Sequence, residues 1–122
     1  HRLYGRFEVK IIFNNEKQMF CAKIYKTAYG VIVAICDIEL VGKKLWYEGV
    51  EIVVSRNFYC EQKIDSLEAV NLMHHATSLN LIGNNIVELA VSMGLVHKDA
   101  VMYLIDENNR KVAHALVHTF QF

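Results

Sequence analysis

Residues 74–94, HHATSLNLIGNNIVELAVSMG, decide how the rest of the chain is read. From Ile82 onward, apolar residues fall at Ile82, Ile86, Leu89, Ala90 and Met93, the spacing of one buried helical stripe. Gly94 follows at the position where a helix closes in a left-handed cap. Upstream, Asp65-Ser66-Leu67-Glu68 has the form of a capping box, so a first helix is expected from there to about Ala76. The polar residues between the two patterns then form a helix–helix junction. Asn80 is expected to cap the second helix, because its side chain can accept a backbone N–H two or three residues on. Gly83 falls in the first turn. Glycine is about 1 kcal/mol worse than alanine in a helix, so its presence asks for a close contact or a ligand.

Outward from this centre the period changes to two. Residues 7–13 (FEVKIIF) place Phe7, Val9, Ile11 and Phe13 on one face and Glu8 and Lys10 on the other, as a half-buried strand does. Met19 to Lys26 reads as a second strand. Residues 31–37 (VIVAICD) are apolar on both faces, as a central strand should be. Residues 38–49 are irregular and carry Trp46 and Tyr47, and strand character returns at 50–55. Beyond the helices, residues 101–105 and 112–120 read as strands joined by a turn from Asp106 to Arg110. Strands, a helix pair, then strands imply an α+β fold of two layers. The expected architecture is a mainly antiparallel sheet covered on one face by the helix pair.

Composition narrows the class. At 122 residues, 53% hydrophobic and 21% charged, residues 1–122 make a single globular domain. The chain is neutral, with 13 basic and 13 acidic residues, yet its halves differ. Residues 1–63 hold 10 Lys/Arg against 7 Asp/Glu, or +3, and residues 64–122 hold 3 against 6, or −3. This is far from a strongly basic nucleic-acid footprint, although it leaves the first half open to an anionic partner. The three cysteines, Cys21, Cys36 and Cys60, are widely spaced with no CxxC pair. Buried, reduced thiols are therefore expected, with no zinc site and no cofactor. The longest apolar run, Val31 to Cys36, is far short of the roughly 20 residues that cross a bilayer. A cytoplasmic protein without membrane contact is the expectation.

The order of VIVAICDIELVGKKL (31–45), VEIVVSRNFYC (50–60) and ATSLNLIGNNIVELAVSMGLV (76–96) resembles a small archaeal family known as a domain of unknown function, family four-two-four. The resemblance runs from about Met19 to Ile105, and Ala76-Thr77-Ser78, Asn80-Leu81 and Gly83 are its most specific part. Families of this kind begin near the position of Met19, which would make residues 1–18 an N-terminal extension or an added strand. A Pro-His-Ala element of the family is reduced here to Ala113-His114-Ala115. The resemblance implies an archaeal cytoplasmic α+β protein in the company of the translation apparatus, with no established activity.

Two sets of residues are candidates for function. Thr77, Ser78, Asn80, Gly83 and Asn84 could build an anion site, since bare N–H groups at a helix start attract phosphate or carboxylate. Packing at a tight junction is the competing reading of the same residues. Arg2, Arg6, Lys23, Lys26, Lys43, Lys44 and Arg56, interleaved with Tyr4, Tyr25, Tyr29, Trp46 and Tyr47, suit RNA through phosphate neutralisation and base stacking. No catalytic residues are assigned: adjacent His74 and His75 point about 100° apart on a helix and cannot share a task. His114 and His118 lie four apart in a strand pattern, about 13 Å, too far to hold one metal. The chain therefore reads as a non-enzymatic interaction domain, with the ribosome or another RNA–protein complex as partner. A small-molecule or phosphate-binding protein is the alternative.

Overall fold

The alternation of the apolar strands becomes an eight-stranded sheet in the computed structural model, which describes residues 18–118. The elements run β1 (Met19–Thr27), β2 (Gly30–Asp37), β3 (Lys44–Tyr47), β4 (Val50–Val53), α1 (Arg56–Tyr59), β5 (Gln62–Asp65), α2 (Ser66–His75), β6 (Ser78–Ile82), α3 (Asn84–Ser92), β7 (Met102–Ile105) and β8 (Lys111–His118). Strand order is β4-β3-β7-β8-β6-β2-β1-β5. Every neighbouring pair is antiparallel except β2 and β6, which run parallel at the centre. The fold is α+β, with a mostly antiparallel sheet and three α-helices among the described residues. The strand expected at residues 7–13 lies outside them, as do Arg2, Tyr4 and Arg6.

Period-two sequence sorts side chains to two sides. Phe20, Ala22, Val33, Ile35, Leu79, Leu81, Ala113 and Ala115 share one buried cluster with Ala69 and Met73 of α2 and Ile86, Val87 and Ala90 of α3. The intervening residues Cys21, Ala34, Cys36, Ile82 and Val112 join a second cluster with Leu45, Val54, Leu104 and Tyr59 of α1. Both sides of the sheet thus carry apolar packing, where one covered face was expected. The reason lies in the run VIVAIC, which is apolar at every position and needs cover on both sides.

Local chemistry sets the ends of these elements. Asp65 accepts from the Glu68 N–H, and Glu68 returns a carboxylate oxygen to the Asp65 N–H, both at 2.9 Å. That is the capping box expected from the sequence. Asp65→Ala should cost about 1 kcal/mol in urea unfolding, and an unchanged midpoint would show that β5 rather than the cap fixes this helix start. The segment 38–49 is less irregular than expected. Glu48 and Gly49 both adopt positive φ (49° and 85°), the geometry of a tight turn, and β3 and β4 pair across it.

Two expectations are corrected. Residues 78–82 are strand, not the approach to a helix cap: Asn80 lies in the middle of β6, and Gly83 occupies the cap position of α3. SLNLI alternates between the two clusters, and its parallel pairing with β2 outweighs the helical spacing of Ile82 and Ile86. The cysteines also differ. Cys21 and Cys60 form a disulfide, leaving Cys36 as the free, buried thiol. The antiparallel pairing of β1 with β5, extended by Glu61 N–H donating to the Ala22 carbonyl, carries Cys60 to Cys21 across 38 intervening residues. Burial, with Asp37 and Glu39 nearby, pushes the Cys36 thiol up to about 12, which keeps it protonated and inert.

Candidate functional site

The junction residues fall into separate places. Thr77 lies just before β6, where its hydroxyl accepts from the Val31 N–H and donates to the Val31 carbonyl (2.8 and 3.0 Å). It fastens the start of β2. Gly83 and Asn84 lie at the opposite end of β6, about 16 Å of strand away. There the Asn84 amide bridges to β8, accepting from Ala113 N–H (2.8 Å) and donating to the Lys111 carbonyl (3.1 Å). The proposed group of five therefore does not assemble at one point.

The N–H groups at the start of α3 already hold an anion, and it belongs to the protein. The Asp37 carboxylate, at the end of β2, accepts from Asn85 N–H and Ile86 N–H, both at 2.9 Å. It is the one charged side chain that is buried among the described residues, 2% exposed. Burial pushes its carboxyl up to about 6, against the lowering effect of those two N–H groups. The sequence offered a hint, an acid closing an apolar strand, but nothing that paired it with a helix start 48 residues on. Beside this junction lies a crevice of about 410 Å³. Its basic lining is Lys43, Lys44, Arg110 and Lys111, and its acidic lining is Asp37, Glu39, Asp106 and Glu107.

The basic and aromatic residues also divide. Lys43 and Lys44 belong to that crevice, and Lys26 alternates to the side of β1 opposite Lys23. Lys23 and Tyr25 meet α1. Lys23 Nζ donates to the Asn57 carbonyl (3.0 Å) and lies 5.2 Å from the Tyr25 ring centre. Tyr25 O–H donates to the Phe58 carbonyl (2.7 Å), and the Tyr25 and Phe58 rings are 5.4 Å apart. Arg56, exposed, begins the same helix, and Phe58 is 38% exposed. Ser55 caps this single turn by accepting from Phe58 N–H (3.2 Å). The disulfide ties its end to β1.

Next to this cluster, on the same side of the sheet, is a polar group that sequence reading did not connect. Tyr59 O–H donates to Asn80 Oδ1 at 2.7 Å, and His114 Nε2 approaches the same oxygen at 3.3 Å. Burial lowers the pKa of His114, so the neutral ring with its proton on Nε2 fits this contact. One row away, Ser78 Oγ and His118 Nδ1 are hydrogen-bonded at 2.9 Å. Leu116, directly across from Asn80 on β8, is 62% exposed, so this part of the sheet is open. Asn80 was singled out by the sequence, but as a cap. Its partners come from α1 and β8, which no local pattern could bring to it.

Among the described residues no group of three or more His, Cys, Asp or Glu is arranged to hold a metal ion. No described helix is long and apolar enough to cross a membrane.

Comparison with known proteins adds a family and a fold. No characterised protein with a curated description matches the chain. Among solved structures, an uncharacterized conserved protein from Methanopyrus kandleri is similar, with a TM-score of 0.64 over 85% of this chain and 96% of that one. At 22% identity this likeness speaks for the fold. A family model matches residues 25–115, most of the length, and the chain belongs to the family described as protein of unknown function DUF424.

Proposed function

We propose that this domain is a non-enzymatic RNA-binding module of the ribosome or another RNA–protein complex. It would hold a single strand against the sheet side that carries Lys23, Tyr25 and Asn80. The observation that supports it is the meeting of Lys23 and Tyr25 on β1 with Phe58 on α1, the helix that exposed Arg56 begins. A cation beside a half-buried ring, with the exposed Phe58 ring next to it, suits RNA, because phosphates are neutralised while bases stack. A short helix pinned by a disulfide and two side-chain hydrogen bonds presents these groups with little entropy left to lose on binding.

A second reading is favoured by the crevice at the ends of β2 and β6, where four basic side chains surround one space. There the partner would be a small anionic molecule. Its equal number of acidic side chains makes it the weaker candidate for RNA.

Fluorescence anisotropy with a labelled eight-nucleotide RNA separates the two. Affinity should fall as salt rises from 50 to 200 mM. The paired change Lys23→Glu/Arg56→Glu should weaken binding by about tenfold or more, and Lys43→Glu/Lys44→Glu by much less. Absence of binding at 50 mM salt overturns the RNA reading. The reverse order of the two variants moves the site to the crevice.

A further inference from the structure

We propose that Asn80 is a base-reading group on this sheet side, one that accepts bases presenting adjacent hydrogen-bond acceptors, cytosine and guanine, and discriminates against adenine. This rests on the RNA reading above and adds to it a specificity that charge and stacking alone do not supply.

The two ends of the Asn80 amide differ in their surroundings. Asn80 Oδ1 is committed, since Tyr59 O–H and His114 Nε2 both converge on it (2.7 and 3.3 Å). With Oδ1 facing those two groups, the Nδ2 group is turned the other way. Among the described residues Nδ2 has no hydrogen-bond partner, and no side-chain nitrogen or oxygen buried from solvent is left unpaired. The two N–H bonds of Nδ2 are therefore within reach of water, or of a ligand that displaces it.

The chemistry of that free end is one-sided. An asparagine with both ends free pairs with adenine by donating to N7 and accepting from N6. Here the accepting half is occupied, so the bidentate adenine contact is lost and only donors remain. Cytosine offers the adjacent acceptors O2 and N3, and guanine offers O6 and N7. Adenine places an amino group beside its Watson–Crick and Hoogsteen acceptors. It would set a donor against a donor.

The surroundings fit a base and its backbone. Leu116, directly across from Asn80 on β8, is exposed, while Ala34, across from it on β2, is buried, so a flat ring can approach from the β8 side. Lys23 pairs with Ala34 on β1, two strands from Asn80, or about 10 Å. It could meet a phosphate of a strand whose base reaches Asn80.

The test compares C8 and A8 RNA by anisotropy at 50 mM salt, in wild type, Asn80→Asp and Tyr59→Phe. Asn80→Asp keeps an acceptor for Tyr59 and His114 but removes both donors. Its added charge weakens all RNA alike, so the ratio of the two affinities isolates the base contact. Wild type should prefer C8 by about tenfold, and Asn80→Asp should bring the ratio near one. Tyr59→Phe releases part of the Oδ1 acceptor and should narrow the ratio by improving A8, which covers the case in which Asn80→Asp does not fold. A wild type that binds RNA without preferring C8 overturns the inference and leaves the RNA module standing. So does a preference that survives both substitutions. A wild type that binds neither RNA overturns both.

Discussion

Gly83→Ala is expected to destabilise the protein by roughly 2–6 kcal/mol and to lower its melting temperature by about 6 °C or more. Two separate costs add. Gly83 has φ 127° and ψ 143°, a backbone region that is essentially glycine's own and costs a side chain about 1–3 kcal/mol. A Cβ built there also collides with the carboxylate of Asp37, and relieving such overpacking costs about another 1–3 kcal/mol. Asp37 has little room to withdraw, since both its oxygens are held by Asn85 and Ile86. Against a total stability of order 5–15 kcal/mol, this is a large fraction. Gly49→Ala is the matched control. It too has positive φ (85°), but nothing lies within 4 Å of its Cβ position, so only the backbone cost of about 1 kcal/mol should appear. Equal losses at the two positions would show that the Asp37 contact yields freely and that Gly83 is kept for its backbone alone.

The second large effect is a dependence of stability on pH that belongs to Asp37. Its carboxyl is raised from an ordinary 3.8 to about 6 in the fold, first by burial. For an acid raised in this way, the contribution to stability is fully present below 3.8 and is lost as pH rises through 6. The gap corresponds to about 3 kcal/mol, of which roughly 2 kcal/mol should return between pH 7.5 and pH 4.5. His114 acts in the opposite sense. Its lowered pKa removes stability as pH falls below its ordinary 6.5, so the wild-type curve alone mixes two slopes. The difference between wild type and Asp37→Asn isolates the carboxylate. Urea unfolding at several pH values should show wild type gaining about 2 kcal/mol relative to the variant as pH falls from 7.5 to 4.5. Parallel curves would mean that the two N–H groups of α3 offset burial fully and that Asp37 titrates at its ordinary value.

Such effects bear on how much of this protein is written locally. The box Asp65-x-x-Glu68 needs only residues three apart, and it forms as read. The strands over 19–26, 31–37 and 50–53 follow from alternation or continuous apolar character, and the turn from Asp106 closes by that residue's own side chain accepting from Asn108 and Arg110 N–H groups. Where reading failed, two local patterns overlapped. Ser78–Ile82 has both strand alternation and, at Ile82 and Ile86, the first step of a helical stripe. Neighbouring strands decide such a case, and β2 and β8 flank this segment on both sides.

The candidate sites divide in the same way. Residue types were visible: a lysine and tyrosine two apart in a strand, an arginine and phenylalanine just after another strand, an asparagine amid apolar residues. The sequence by itself determined the α+β class, the start of α2 and the alternation that puts Lys23 and Tyr25 on one side of β1. Only the tertiary structure decided that Asp37 caps α3, that Cys60 meets Cys21 and that Tyr59 and His114 hold Asn80. The physical reason is range. Periodicity and capping act over three or four residues. Those partners are set by strand order and register, whose contacts join residues 21 to 49 positions apart, and a single chain carries no local mark of which distant strand it will lie beside.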